Sequence, residues 1–254
     1  MSKKILFIVE GKRDGLYAKR LAEEMRLEAQ VIPVQANIYM LFSMMKKDDF
    51  QINITDALME MKGVSGQDKD MLLEQEPFTY TYLLFDMDPH DNSRSFEVNT
   101  MIIKEMLSYF IDETDNTVGK LYISYPMLEA LWDYDKHDPE EYRNRTVSVD
   151  VVKEKNYKEL VGHRGYPRNV SKYTIETFKH LGMINVKKTN LIVASKWNKP
   201  EYSDYIKYLD QQAIIDAEEE MIASEDTISV LSGLPLFMVD YWGNTNGFYD
   251  SLFE

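Results

Sequence analysis

The chain has 254 residues, enough for one large domain or two moderate ones, and its 44% hydrophobic and 12% aromatic content belongs to a folded core. It has no cysteine, which excludes disulfides and thiolate metal sites, and its four histidines make an all-protein zinc site a poor expectation. A formal net charge of −14 argues against a simple nucleic-acid coat, because phosphate binding calls for a basic surface.

In chain order, KILFIVE (4–10) is a short apolar run suited to a buried strand. It stops at Glu10 with no small-residue cleavage site after it, so it reads as a first strand and not as a leader. A helix follows with Tyr17, Leu21 and Met25 at helical spacing. QVIPV (30–34) is a second strand and IYMLFSMM (38–45) a short helix or a continuation. Residues 46–79 are polar and read as an irregular surface excursion. TYLLFD (81–86) is the third strand. Asn92 or Ser93 would cap a helix running to about Ile111, with Val98, Ile102, Met106 and Phe110 on its apolar face. KLYISY (120–125) is the fourth strand, and Pro126 suits the first turn of a helix, MLEALWDYD.

Nearly unbroken apolar strands separated by amphipathic helices predict an α/β fold, a parallel sheet covered on both faces. The second half reads as mainly helical. VVKEKNYKELV, NVSKYTIETFKHLG and DQQAIIDAEEEMIASEDTISVL are its helical segments, NLIVASKW is ambiguous, and SGLPLFMVDYWG (232–243) reads as a terminal strand after a Gly-Leu-Pro break. A boundary near 135–150 divides the chain into residues 1–135 and 136–254. No apolar stretch is long enough to span a bilayer, and the expected location is the cytoplasm.

Charge is unevenly spread. Residues 151–199 carry 11 basic and 3 acidic side chains, whereas residues 211–254 carry 9 acids and no Lys or Arg. The basic segment is either a solvated face or a phosphate-contacting one. The acidic tail is either a docking surface or an ordinary helix with a solvated face.

In a parallel sheet, ligands bind beyond the carboxyl ends of the strands. That rule brings Glu10 and Gly11, Asp86 and Asp88, and Glu129 to one edge. Clustered carboxylates repel and are costly to desolvate, so a cation is the expected neutraliser. With no cysteine and little histidine nearby, a hard divalent ion, magnesium or manganese, fits that donor set. Asp-x-Asp alone also serves phosphatases and glycosyltransferases, and isolated surface acids often do no more than cap a helix.

IVEGKRD (8–14) followed by LLFDMDPHD (83–91) resembles the two signature motifs of the Toprim domain, found in topoisomerases, DnaG-type primases, the ribosomal-RNA maturase family and overcoming-lysogenization-defect (OLD) nucleases. The likeness covers roughly residues 3–135. ISYPMLEALW (123–132) is similar to the Pro-x-x-Glu motif of small RloB-like Toprim proteins encoded beside ATPases in bacterial defence loci, with Tyr125 where an Asn is usual. A neighbouring small Toprim group, the effector of two-gene phage-defence systems with an ABC-type ATPase, is the alternative placement.

The resemblance implies that Glu10 is a general acid/base or a metal ligand, that Asp86 and Asp88 bind magnesium, and that Asp14 and Glu129 are further ligands. The implied activity is metal-dependent phosphodiester hydrolysis of DNA or RNA, tRNA included, by a toxic effector restrained by an ABC-type ATPase partner. Lys12, Arg13, His163, Arg164 and Arg168 are candidates for nucleic-acid contact. Two alternatives stand beside this reading: a non-catalytic Toprim binding or regulatory module, and a DxD phosphatase or nucleotidyl-transfer enzyme with Asp86 as nucleophile.

Overall fold

The computed structural model describes residues 3–74, 78–89, 94–115, 117–134, 139–154, 156–162 and 168–254. It is an α/β protein built on a mostly parallel sheet flanked by helices, with a mainly helical C-terminal region, as the strand and helix pattern predicts.

The first part runs β1 (Lys4–Val9), α1 (Lys12–Glu24), β2 (Glu28–Pro33), α2 (Ile38–Lys47), α3 (Ile54–Glu60), α4 (Gly66–Glu74), β3 (Tyr80–Asp86), α5 (Phe96–Tyr109), β4 (Ile111–Asp112) and β5 (Gly119–Ser124). The second part has α6 (Pro139–Arg143), β6 (Thr146–Ser148), α7 (Val149–Lys153), α8 (Tyr157–Val161), α9 (Ile175–Ala194), α10 (Tyr202–Tyr208), α11 (Gln211–Glu225), β7 (Thr227–Ser229), α12 (Gly233–Trp242) and α13 (Phe248–Ser251). The sheet order is β2-β1-β3-β5-β4. Its first four strands are parallel, and the two-residue β4 is antiparallel to β5 at the edge. A β6–β7 ribbon stands apart.

β1, β3 and β5 are buried along almost their whole length, which is why their sequences are apolar without alternation, whereas the edge strand β2 buries only Val31 and Ile32. Helix α1 buries Tyr17 and Leu21 as their spacing requires, and the cap residue Met25 is buried too. Gly15 faces the sheet, where a Cβ would make ordinary contacts of 3.6 Å with the Val9 and Val31 side chains. α5 begins one residue after Ser95, whose side chain accepts the Val98 N–H. The expected caps Asn92 and Ser93 lie outside the described residues. Ile102, Met106 and Phe110 are buried as expected, but Val98 is 43% exposed.

Four expectations are corrected. Residues 46–79 hold two helices, α3 and α4, the first capped by Asn53, whose side chain accepts the Asp56 N–H. Pro126 does not open an α-helix. The Tyr125–Pro126 peptide is cis, and the chain passes into a short 3-10 turn, Leu128–Leu131. The apolar stretch 232–243 is helix α12, with Pro235 in its first turn where the missing N–H is harmless. It lacks a polar face because it is enclosed. Phe237 packs on Phe7, Tyr82 and Tyr122 of the sheet, while Gly182 of α9 sits against Met238 and Val239. The extended backbone does touch the sheet just before α12, where Tyr125 and Leu231 exchange hydrogen bonds of 2.7 and 2.9 Å. The helical expectation for 210–231 likewise ends early, at Glu225, and Thr227–Ser229 pairs as β7.

The helices of the second part thus complete the packing of the sheet in the first. One continuous cluster of buried apolar side chains runs through both. No helix among the described residues is long and apolar enough to cross a membrane.

Candidate active site

β1 sits between β2 and β3, so the chain leaves β1 towards one side and returns past it to the other. The sheet therefore reverses its order between β1 and β3. Beyond the carboxyl ends of strands at such a reversal lies the crevice where open α/β sheets bind ligands. β1 ends at Val9 and β3 at Asp86, which places Glu10 and Asp86 on the two sides of that crevice. They are joined directly: the Glu10 N–H donates to Leu84 O, and the Asp86 N–H donates to Glu10 Oε2, both at 3.2 Å.

Gly11 precedes α1 in an extended conformation that any residue can adopt, so no left-handed turn demands glycine here. Close approach does. The Gly11 N–H donates to Asp14 Oδ2 at 3.2 Å, and a Cβ at position 11 would lie 3.1 Å from that same oxygen. Asp14, in the first turn of α1, is folded back over the helix start.

After Asp86 the chain is held by the end of β5. The Met87 N–H donates to Ser124 O at 3.0 Å and the Asp88 N–H to Pro126 O at 3.1 Å. Tyr39 of α2 donates its hydroxyl to Met87 O. Asp88 occupies the left-handed region with φ of +46°, conformational strain that its surroundings must support. Glu129 lies in the 3-10 turn after β5 and is only 3% exposed. Its Oε1 is 3.7 Å from Arg13 Nη1, and its Oε2 is buried without a hydrogen-bond partner. The Arg13 guanidinium lies 4.7 Å over the ring of Trp132, on which Tyr17 also stacks.

The electrostatics tie these acids into one group. Burial, followed by repulsion from Asp14 and Asp88, pushes the Glu10 carboxyl well above the usual range. Burial does the same to Asp86, reinforced by Glu10, Asp14 and Glu129. Asp14 is raised to about 6, again chiefly by burial and further by Glu129, against the backbone N–H groups that hold it down. Lys158 on α8 opposes the rise at both Glu10 and Asp14.

Lys158 belongs to the basic segment, and the fold explains its presence here. Tyr17 donates its hydroxyl to Arg168 O at 2.7 Å, and Arg168 Nη2 donates to Lys158 O at 2.8 Å. Arg20 donates to Tyr173 O, and Glu24 accepts the Ile175 N–H, both at 2.7 Å. The segment therefore lies along α1, beside the acids.

All five sequence-designated acids, Glu10, Asp14, Asp86, Asp88 and Glu129, meet at this edge. Lys12 and Arg13 stand exposed at the start of α1, and Arg168 is exposed with one guanidinium nitrogen committed to Lys158 O. His163 and Arg164 lie outside the described residues, as do His90 and Asp91. In the sequence Lys158 is one basic residue among the 11 of residues 151–199, and nothing there singles out Trp132 beyond its place three residues after Glu129. Trp132 packs, fully buried, and also carries Arg13.

The donor set of five carboxylates suits a hard divalent cation. The buried, unpartnered Glu129 Oε2 is the kind of group such an ion would satisfy. As the side chains stand, no three described His, Asp or Glu residues are gathered closely enough to hold an ion. Glu10, Asp14 and Glu129 each face an internal partner instead. Comparison of the chain with protein families, with curated proteins and with solved structures finds no match.

Proposed function

We propose that this protein is a metal-dependent nuclease of the Toprim type that hydrolyses phosphodiester bonds in DNA or RNA. The observation that carries this reading is the convergence of five acids from β1, α1, β3 and the turn after β5 at the order reversal of the sheet, with Glu10, Asp14 and Asp86 holding protons more tightly than usual. A structure tolerates mutually repelling buried carboxylates where function uses them.

Glu10, Asp14, Asp86, Asp88 and Glu129 would supply oxygen ligands to magnesium or manganese. Such an ion, when bound, supplies charge neutralisation at a phosphate and lowers the proton affinity of a nucleophilic water. Glu10, on the rim of the crevice with one oxygen already fixed by the Asp86 N–H, serves as general acid/base or as a ligand. Lys12, Arg13 and Lys158 line the approach with positive charge, and Arg168 fixes the backbone of Lys158. A basic approach to an acidic centre is what a phosphodiester backbone requires on a protein whose net charge would otherwise repel it. That overall acidity favours a protein partner, and the resemblance of the motifs to small Toprim effectors supports an ABC-type ATPase in that place and a cytoplasmic effector role in defence against phage.

The test is cleavage of DNA, tRNA and other RNA by the purified protein, alone and with its genomic ATPase neighbour, in magnesium or manganese. Metal-dependent cutting abolished by Glu10→Ala, Asp86→Asn or Asp88→Asn supports the proposal; no cutting of any substrate in any divalent metal sinks it. The internally partnered acids favour one second reading, a Toprim scaffold that binds or regulates without catalysis. In that case the biological effect would survive the same substitutions.

A further inference from the structure

Arg13 and Glu129 form an unequal pair. Glu129 is 3% exposed, whereas Arg13 is 46% exposed, so a buried carboxylate faces a cation whose far side is in water. Their 3.7 Å separation exceeds hydrogen-bonding distance, leaving charge attraction without a bond. Glu129 Oε2 is buried with no partner, a costly condition for a carboxylate oxygen. Glu129 lies at the same edge as the other acids: the chain just before its turn is tied to the end of β3 by the Asp88 N–H bond to Pro126 O at 3.1 Å, and its partner Arg13 adjoins Asp14 in α1.

The neighbouring acids are held differently. Glu10 and Asp14 accept backbone N–H groups, which are fixed and carry no net charge. Arg13 brings a full charge on a long side chain, and its position does not depend on Glu129 alone, because Trp132 supports the guanidinium at 4.7 Å.

We infer that Arg13 is an internal counter-ion that competes with a divalent cation for Glu129 and so sets how tightly the acidic edge takes metal. This rests on the metal-binding reading of that edge. A divalent ion drawing on Glu129 would neutralise the carboxylate that now attracts Arg13. The guanidinium, still supported by Trp132, would then be available at the mouth of the site to a phosphate, which it can meet with two parallel N–H donors.

The experiment is calorimetric titration of the full chain with manganese ion in wild type, Arg13→Gln, Glu129→Gln and the double variant. Arg13→Gln is expected to bind about three- to tenfold more tightly, the scale of a partly screened ion pair. That gain is expected to vanish in the Glu129→Gln background. An unchanged or weaker affinity in Arg13→Gln overturns the inference. So does a gain that persists without Glu129, because it would reflect a general change of charge near the acids. Wild type taking up no manganese ion overturns the metal reading itself, and the inference with it. Should Arg13→Gln fail to fold, Arg13→Met keeps the apolar stem over Trp132 and carries the same expectation.

Discussion

Two regions of the molecule bury charge, and they do so in opposite ways. In the helical part, Lys188 of α9 is 2% exposed and donates to three carbonyls, Tyr142 O at 3.4 Å, Arg143 O at 2.8 Å and Arg145 O at 3.0 Å. Glu218 of α11, fully buried, accepts the Ser229 N–H, and its charge offsets part of the burial that lowers Lys188 to about 8. Arg145 pairs with Glu141 at 2.5 Å, and Asp133 accepts the Tyr157 hydroxyl at 3.0 Å. Charges of both signs stand together here and tie α6, α9, α11 and the β6–β7 ribbon to one another, even though burial raises Glu218 to about 7 and leaves one of its oxygens without a partner. At the acidic edge the buried groups share one sign, and among the described residues Arg13 and Lys158 oppose them. The first arrangement is what a protein needs to stay folded; the second weakens the fold and is retained for what it binds.

That contrast predicts the largest stability effect away from the acidic edge. Lys188→Met removes the donor to three buried carbonyls and leaves Glu218 unopposed, which should cost about 3–5 kcal/mol in chemical denaturation. Asp86→Asn should cost little or even stabilise, since it removes a repelling charge. If Asp86→Asn proves as damaging as Lys188→Met, the acids are structural and the comparison fails.

The pH dependence of stability sharpens the same point. Asp14 is raised from 3.8 to about 6 in the folded protein, so the folded state holds its proton more tightly than the unfolded chain. Stability from this group is therefore highest at low pH and falls as pH rises from about 4 to about 6, by on the order of 1–3 kcal/mol. Glu10 and Asp86 are raised too and extend the decline upward. Urea denaturation across this range, in a chelator, should show a slope that Asp14→Asn flattens. A slope unchanged by Asp14→Asn would show that Asp14 does not titrate differently in the fold.

The inner strands β1, β3 and β5 were legible because both faces of the sheet are covered there, so their sequences are nearly continuously apolar. Glu10, Asp86 and Glu129 were legible for a topological reason: Asp86 ends β3, Glu10 directly follows β1, and Glu129 lies five residues beyond the end of β5, and the carboxyl ends of these strands must lie at one edge. Helix α12 was not, because its first seven residues are all buried and show no polar face to reveal their period, and Pro235 in the first turn looks like a break. Strands of two or three residues, as in β4, β6 and β7, are too short to carry a pattern. Lys158 was hidden for a different reason. Its place beside Glu10 and Asp14 depends on Tyr17 reaching Arg168 and on Arg168 reaching back to Lys158, contacts that no local spacing encodes.

The smallest effect concerns Gly11, where the two kinds of site meet in one residue. Its backbone is extended, so alanine is conformationally acceptable, but the added methyl would press on Asp14 Oδ2 from 3.1 Å. The carboxylate must move a few tenths of an ångström, which loosens its bond with the Gly11 N–H. Gly11→Ala should therefore lower stability by only about 0.5–1 kcal/mol, the scale of a weakened helix start. That hydrogen bond favours the ionised form, so loosening it should raise the Asp14 carboxyl further above about 6. Carboxyl-carbon NMR titration of Asp14 in the two proteins reads this directly. An unmoved titration would mean that the acid at the start of α1 is held by its surroundings as a whole and not by the one donor that glycine leaves room for.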